Sequence, residues 1–147
     1  MESDLFRRAW GNFATGASLI TTVKSDGEVH GMTANGIASI SLDPMLVMVC
    51  VGHKANTHPI IESTGRYGIN ILSVSQKDIG NYYAMSDDKR DGSVKAQFHF
   101  SERGTPFLGE SLSSMDCKVV STHIEGDHTV FIGLVEEIEV HNGSPLL

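Results

Sequence analysis

A mainly β fold, a barrel or sandwich with short flanking helices, is what this sequence predicts. Six or more short apolar or β-branched segments are separated by tight-turn signals. They do not alternate regularly with helices, and only two or three stretches carry helical spacing. A doubly wound parallel sheet is therefore not expected. No G-x-G-x-x-G follows a strand, which argues against a Rossmann nucleotide site.

Leu5, Ala9, Trp10 and Phe13 recur at helical spacing after Ser3-Asp4, a plausible N-cap, and Gly16 supplies the stop. Ser18 to Val23 is β-branched, and the Asp26-Gly27 turn should return Glu28 to Met32 antiparallel. Ile37 to Ser41 reads as strand, Leu42-Asp43-Pro44 as a turn, and Met45 to Val51 as a fully buried strand, apolar at every position. A loop from Gly52 leads to a short helix near Thr57 to Ser63, with Pro59 in its first turn and Gly65 ending it. Tyr67 to Leu72 is a further strand. Ser75-Gln76-Lys77-Asp78 resembles a capping box before a helix on which Ile79, Tyr82 and Tyr83 share a face. Asp87 to Gly92 reads as a charged, solvated loop without chemistry. Met115, Cys117 and Val119 alternate with Asp116 and Lys118, as in a half-exposed strand. Glu125-Gly126-Asp127 turns the chain into a last strand, His128 to Val140.

The 147 residues are the length of one domain, 40% hydrophobic and 20% charged, which is ordinary globular composition. A net charge of -7 argues against a dedicated nucleic-acid binder and supplies no polybasic membrane patch. No apolar run approaches a membrane span, and the acidic start Met1-Glu2-Ser3-Asp4 does not read as a signal peptide. Cys50 and Cys117 read as buried thiols of a reducing compartment, so the cytoplasm is expected. The seven histidines are scattered without metal-ligand spacing, and no metal is expected.

Three polar islands could carry chemistry. Thr33 to Ser41 places small hydroxyl, amide and glycine residues where backbone amides can approach a ligand. Lys54-Ala55-Asn56-Thr57 sets a cation just before a helix, where free amides favour a phosphate; an ordinary helix cap with a solvated lysine is the plainer alternative. Gly126-Asp127-His128-Thr129 is a turn before an apolar strand, and a merely surface-exposed histidine is its plainer alternative. There is no G-x-S-x-G elbow, and Glu136 and Glu137 should face opposite sides of a strand. Phosphate-like anchors without a nucleophile or an acid/base pair suit redox chemistry carried by a cofactor.

Taken in order, these segments resemble the flavin reductase-like family, in particular the small reductase components of two-component flavin monooxygenases. The resemblance is carried by Phe6-Arg7-Arg8-Ala9, Phe13-Ala14-Thr15-Gly16 and His30-Gly31-Met32-Thr33-Ala34-Asn35 running into Ser39-Ile40-Ser41-Leu42-Asp43-Pro44. It continues through Asn70-Ile71-Leu72-Ser73, Gln76, Tyr83-Ala84, Gly126-Asp127-His128-Thr129-Val130-Phe131-Ile132-Gly133 and Pro145-Leu146-Leu147. It implies an FMN-binding split barrel over residues 1–147, lacking the aromatic-containing strand with which relatives usually continue. It also implies a homodimer with flavin near the subunit interface. Hydride would pass from NAD(P)H to N5 of FMN or FAD, and reduced flavin would leave for an oxygenase. By the same resemblance Thr33, Ala34 and Asn35 contact the flavin ring edge; Gly36 departs from the family, which more often has a side chain there, and loosens that turn or admits closer backbone approach. Ser39 and Lys54, Ala55, Asn56 and Thr57 hold the phosphate and ribityl end, and His128 lies beside the nicotinamide. A flavin-binding sensor, store or structural subunit without turnover is the alternative. A pyridoxamine-phosphate-oxidase relative would need more basic residues than this acidic chain offers, and a nonflavin barrel module would leave the motif order unexplained.

Overall fold

The Asp26-Gly27 turn closes a hairpin in which β1 (Ser18–Val23) and β2 (Val29–Ala34) pair antiparallel from Ser18↔Ala34 to Val23↔Val29. The structure is a computed structural model describing residues 2–147; Met1, the first residue of the acidic start, lies outside them. Further along come β3 (Ile37–Leu42), β4 (Met45–Gly52) and β5 (Arg66–Ile71), with a cis bond between Asp43 and Pro44 at the β3–β4 turn. The short β6 (Phe98–Phe100) and β7 (Pro106–Leu108) form a separate pair. The long β8 (Ser113–Glu125) and β9 (His128–Val140) form a hairpin across Gly126.

Seven strands make one antiparallel sheet in the order β2-β1-β5-β8-β9-β4-β3. Its two edges, β2 and β3, are consecutive in the chain. Only residues 35 and 36 separate them, so their joined ends lie within about 11 Å, three Cα steps. A sheet whose outermost strands are tied this closely must curl, which gives the expected barrel with its opening between β2 and β3.

Burial follows from the strand period of two. Ile20 faces a core of Val49, Val51, Ile61, Tyr67, Ile69, Cys117 and Phe131, while its neighbour Leu19 faces a second cluster with Leu72 and Leu108. The first cluster fills the barrel, and α2 (Thr57–Thr64) reaches it through Ile61. The second lies under α3 (Lys77–Ala84), whose Ile79 and Tyr83 pack against it as their shared face predicts. Asn70 pins the two layers together. Its amide donates to the Leu19 carbonyl and Thr21 Oγ1, and its oxygen accepts from Leu108 N–H and the Ser114 hydroxyl.

Several expectations need correction. The first helix, α1 (Ser3–Gly11), contains Ser3 rather than being capped by it, stops before Phe13, and buries none of its residues. Its apolar stripe is real, but nothing in the described chain covers it. β4 is not buried on both faces: Val47, Val49 and Val51 are buried while Leu46, Met48 and Cys50 are half-buried, because only alternate side chains enter the barrel. The capping box is Ser73 with Gln76, two residues earlier than expected, around a 3₁₀ turn that precedes α3. Asp116 is fully buried rather than solvated, since a bulge between Asp116 and Cys117 breaks the alternation. Arg66 Nη1 donates to it at 2.8 Å, and the Ser101 and Thr105 hydroxyls donate at 2.9 and 2.6 Å. Ile138 and Val140 point outward.

Candidate functional site

Beside the barrel opening lies a cleft of about 680 Å³ between β2, the start of α2 and the chain leaving α3. One wall is built by sequence-local chemistry. β4 ends at Gly52, the chain turns through His53-Lys54, and α2 begins at Thr57. Ala55 N–H donates to the Gly52 carbonyl and His58 N–H to the Ala55 carbonyl, which winds the turn into the helix. No side chain caps α2; with the Ala55 and His58 N–H groups already used and Pro59 lacking one, the N–H groups of Asn56 and Thr57 are those left for a ligand. Exposed Lys54 adds a full positive charge at the same end.

The facing wall is His30, Met32 and Thr33 of β2 with Tyr83 of α3. Gly31 lets this wall close tightly: a Cβ there would stand 3.0 Å from the Tyr83 ring and would push it back by a few tenths of an ångström. The Thr33 hydroxyl donates to the Gly80 carbonyl at 2.6 Å and ties β2 to α3. His30 Nε2 and the buried Thr57 hydroxyl lie 2.9 Å apart. Thr33 and Thr57 thus brace the cleft with their hydroxyls.

Burial is the main reason that His30 titrates below its ordinary value of 6.5, with Asp87 offsetting part of the effect. The unfolded chain then takes up this proton first. Stability should therefore be flat above about pH 6.5 and decline as the pH falls through the depressed value. Urea denaturation between about pH 8 and 5 should show that decline, and His30→Asn should flatten it.

Of the residues expected at the site, Thr33, Lys54, Ala55, Asn56 and Thr57 line this cleft together. Ala34, Asn35, Gly36 and Ser39 are not among its lining residues. Ala34 ends β2, where its carbonyl accepts the Ser18 hydroxyl, and Asn35 is exposed in the link to β3. The Gly36 carbonyl accepts the Cys50 N–H, and Ser39 is exposed on β3 opposite Val47. His128 stands on the other side of the His53-Lys54 turn. It pairs in register with Gly52 and its ring lies near that residue: a Cβ there would be 3.6 Å from Nε2, an ordinary contact distance. His128 Nδ1 is 2.8 Å from Asp127 Oδ1, and this hydrogen bond holds the Asp127 carboxyl below the usual carboxylate range.

The loop after α3, read from sequence as solvated and without chemistry, lines the cleft instead. Asp87 Oδ2 accepts from Asn56 Nδ2 at 2.8 Å, and Arg90 Nη1 lies 3.0 Å from Asp87 Oδ1. Arg90 also lies over the Tyr83 ring, 4.9 Å from its centroid. The sequence carries no spacing signal for this, because Asn56 and Asp87 are 31 positions apart. Among the described residues no group of His, Cys, Asp and Glu could hold a metal, and no helix is long and apolar enough to cross a membrane.

Residues 10–147 match the family described as flavin reductase like domain. An NADH-dependent flavin reductase from a Rhodococcus species is 39% identical over 143 residues, covering 96% of this chain and 79% of the relative. The solved flavin reductase PheA2 superposes with a TM-score of 0.90 at 41% identity, covering 99% of this chain and 92% of its own. The styrene monooxygenase flavin reductase of Pseudomonas putida gives 0.86 at 34% identity, covering 95% and 89%.

Proposed function

This chain belongs to the flavin reductase-like family, and from that premise we propose that it reduces flavin with NAD(P)H and passes the reduced flavin to a separate oxygenase. The supporting observation is the cleft itself, where Lys54 and the uncapped amides of α2 face the Thr33 and Tyr83 wall across a volume of about 680 Å³. That donor set suits a phosphate, and a cleft of this size suits a coenzyme. The relatives are named as reductases, which favours turnover over mere storage of flavin. Flavin, when bound, supplies the hydride acceptor for the nicotinamide. Lys54 and the N–H groups of Asn56 and Thr57 hold the phosphate end, with Ala55 shaping the turn that presents them, while Thr33 to Gly36 and Ser39 offer backbone and small side chains to the rest. His128, fixed by Asp127 through Nδ1, keeps Nε2 for orienting the nicotinamide.

Residues 1–147 form one domain of this type in our reading, and two copies form the working unit. Leu5, Phe6 and Trp10 of α1, with Phe13 just beyond it, are between 53% and 65% exposed, an apolar face that a monomer would present to water. Sedimentation equilibrium should give a dimer that Trp10→Glu weakens.

Anaerobic mixing with NADH and free FMN or FAD is the direct test. Bleaching of the flavin band at a rate proportional to protein supports the reductase; an unchanged spectrum refutes it. Lys54→Ala should weaken FMN binding on the order of tenfold at low salt, a loss that shrinks as screening rises. Titration by flavin fluorescence at low and high salt reads this, and equal affinities throughout would remove Lys54 from the phosphate.

A further inference from the structure

The cleft already contains an anion of its own. Asp87 gives one carboxylate oxygen to Asn56 Nδ2 and the other to Arg90 Nη1, and His30 Nδ1 stands 3.8 Å from it. Asn56 and Arg90 are therefore committed to Asp87 before any ligand arrives.

The two partners differ in how firmly they are held. Arg90 is fixed: its Nη2 donates to the Tyr83 carbonyl, its Nε to the Met85 carbonyl, and its guanidinium covers the Tyr83 ring. Its side chain is only 14% exposed. Asp87 sits at the start of a short 3₁₀ turn, Asp87–Lys89, none of whose residues is buried, and its side chain is 41% exposed. The cationic and amide donors are thus set in place while the carboxylate can swing into water. This is the arrangement of a socket filled by a movable plug of the ligand's own charge.

Resting on the phosphate reading of the cleft, we infer that Asp87 is a resident competitor for the flavin phosphate and so determines which flavins this site favours. A phosphate entering between Lys54 and Arg90 either displaces the carboxylate or lies beside a like charge, and both weaken binding. Riboflavin, which carries no phosphate, is not subject to that competition. The competition keeps a phosphorylated flavin exchangeable, as a protein that must release its reduced product requires.

The test is a ratio. Riboflavin and FMN are titrated separately, by fluorescence quenching without NADH, into the wild type and Asp87→Asn, which keeps the shape and removes the charge. Tighter FMN binding by about tenfold, with riboflavin affinity unchanged, is expected. Asp78→Asn, which removes the same charge from the exposed face of α3, should leave both affinities unchanged. Equal gains for the two flavins in Asp87→Asn, or none for FMN, overturn the inference alone. If Asp87→Asn too binds FMN no more tightly than riboflavin, the phosphate reading falls and the inference falls with it. Asp87→Ser gives the same ratio should the asparagine variant fail to fold.

Discussion

Arg66→Met should destabilise the fold by roughly 3–5 kcal/mol, the range seen when one partner of a buried ion pair is removed. Asp116 is fully buried, and Arg66 is the cation that meets it, through Nη1, while Nη2 reaches Glu136 at 2.6 Å. The two carboxylates hold the guanidinium above its ordinary titration value despite partial burial. Without it, Asp116 keeps only the Ser101 and Thr105 hydroxyls. Because β5, β8 and β9 meet at this point, the loss should appear in global unfolding. Chemical denaturation reads it directly. A loss below about 1 kcal/mol would mean that the pair behaves as a surface contact. Adding Asp116→Asn to Arg66→Met should recover part of the stability, since the uncompensated charge is then gone.

His128→Ala should lower turnover with NAD(P)H by roughly 10- to 100-fold while leaving flavin affinity nearly unchanged. His128 lies outside the phosphate cleft, so flavin binding has little reason to depend on it. Its imidazole is oriented by Asp127 at Nδ1, 2.8 Å away. Asp127→Asn should give a smaller loss in the same direction, because it loosens the ring without removing it. Steady-state kinetics beside a flavin titration separates the two effects. Unchanged kinetics in His128→Ala would take the residue out of the site.

What the sequence made legible was local. The Asp26-Gly27 and Glu125-Gly126 turns, the β-branched β1 and the Gly65 stop all act within a few residues, and each fell where its chemistry put it. The Lys54–Thr57 island was legible for the same reason, as a cation beside a helix start. The contribution of Asp87 and Arg90 was hidden, because a charged loop looks alike whether it meets water or Asn56. Asp116 was misread because a bulge is a register event between strands, invisible to an alternating pattern in one of them. The stripe on α1 shows the opposite limit: its spacing declares an apolar face but not what that face meets.

Thr129 has a consequence for how the two halves of the site move. Its buried hydroxyl lies 2.8 Å from His53 Nε2 and 2.9 Å from His58 Nε2. A hydroxyl donates a single proton but can accept two, so at most one of the two rings can accept from it. His58 Nδ1 lies 3.2 Å from Glu62, an acceptor, which assigns its own proton to that nitrogen and makes His58 the ring that accepts from Thr129. His53 is then the ring that donates. While His58 accepts the one hydroxyl proton, His53 is held to the donor role. The turn carrying Lys54 and the strand start carrying His128 are thus joined through one oxygen.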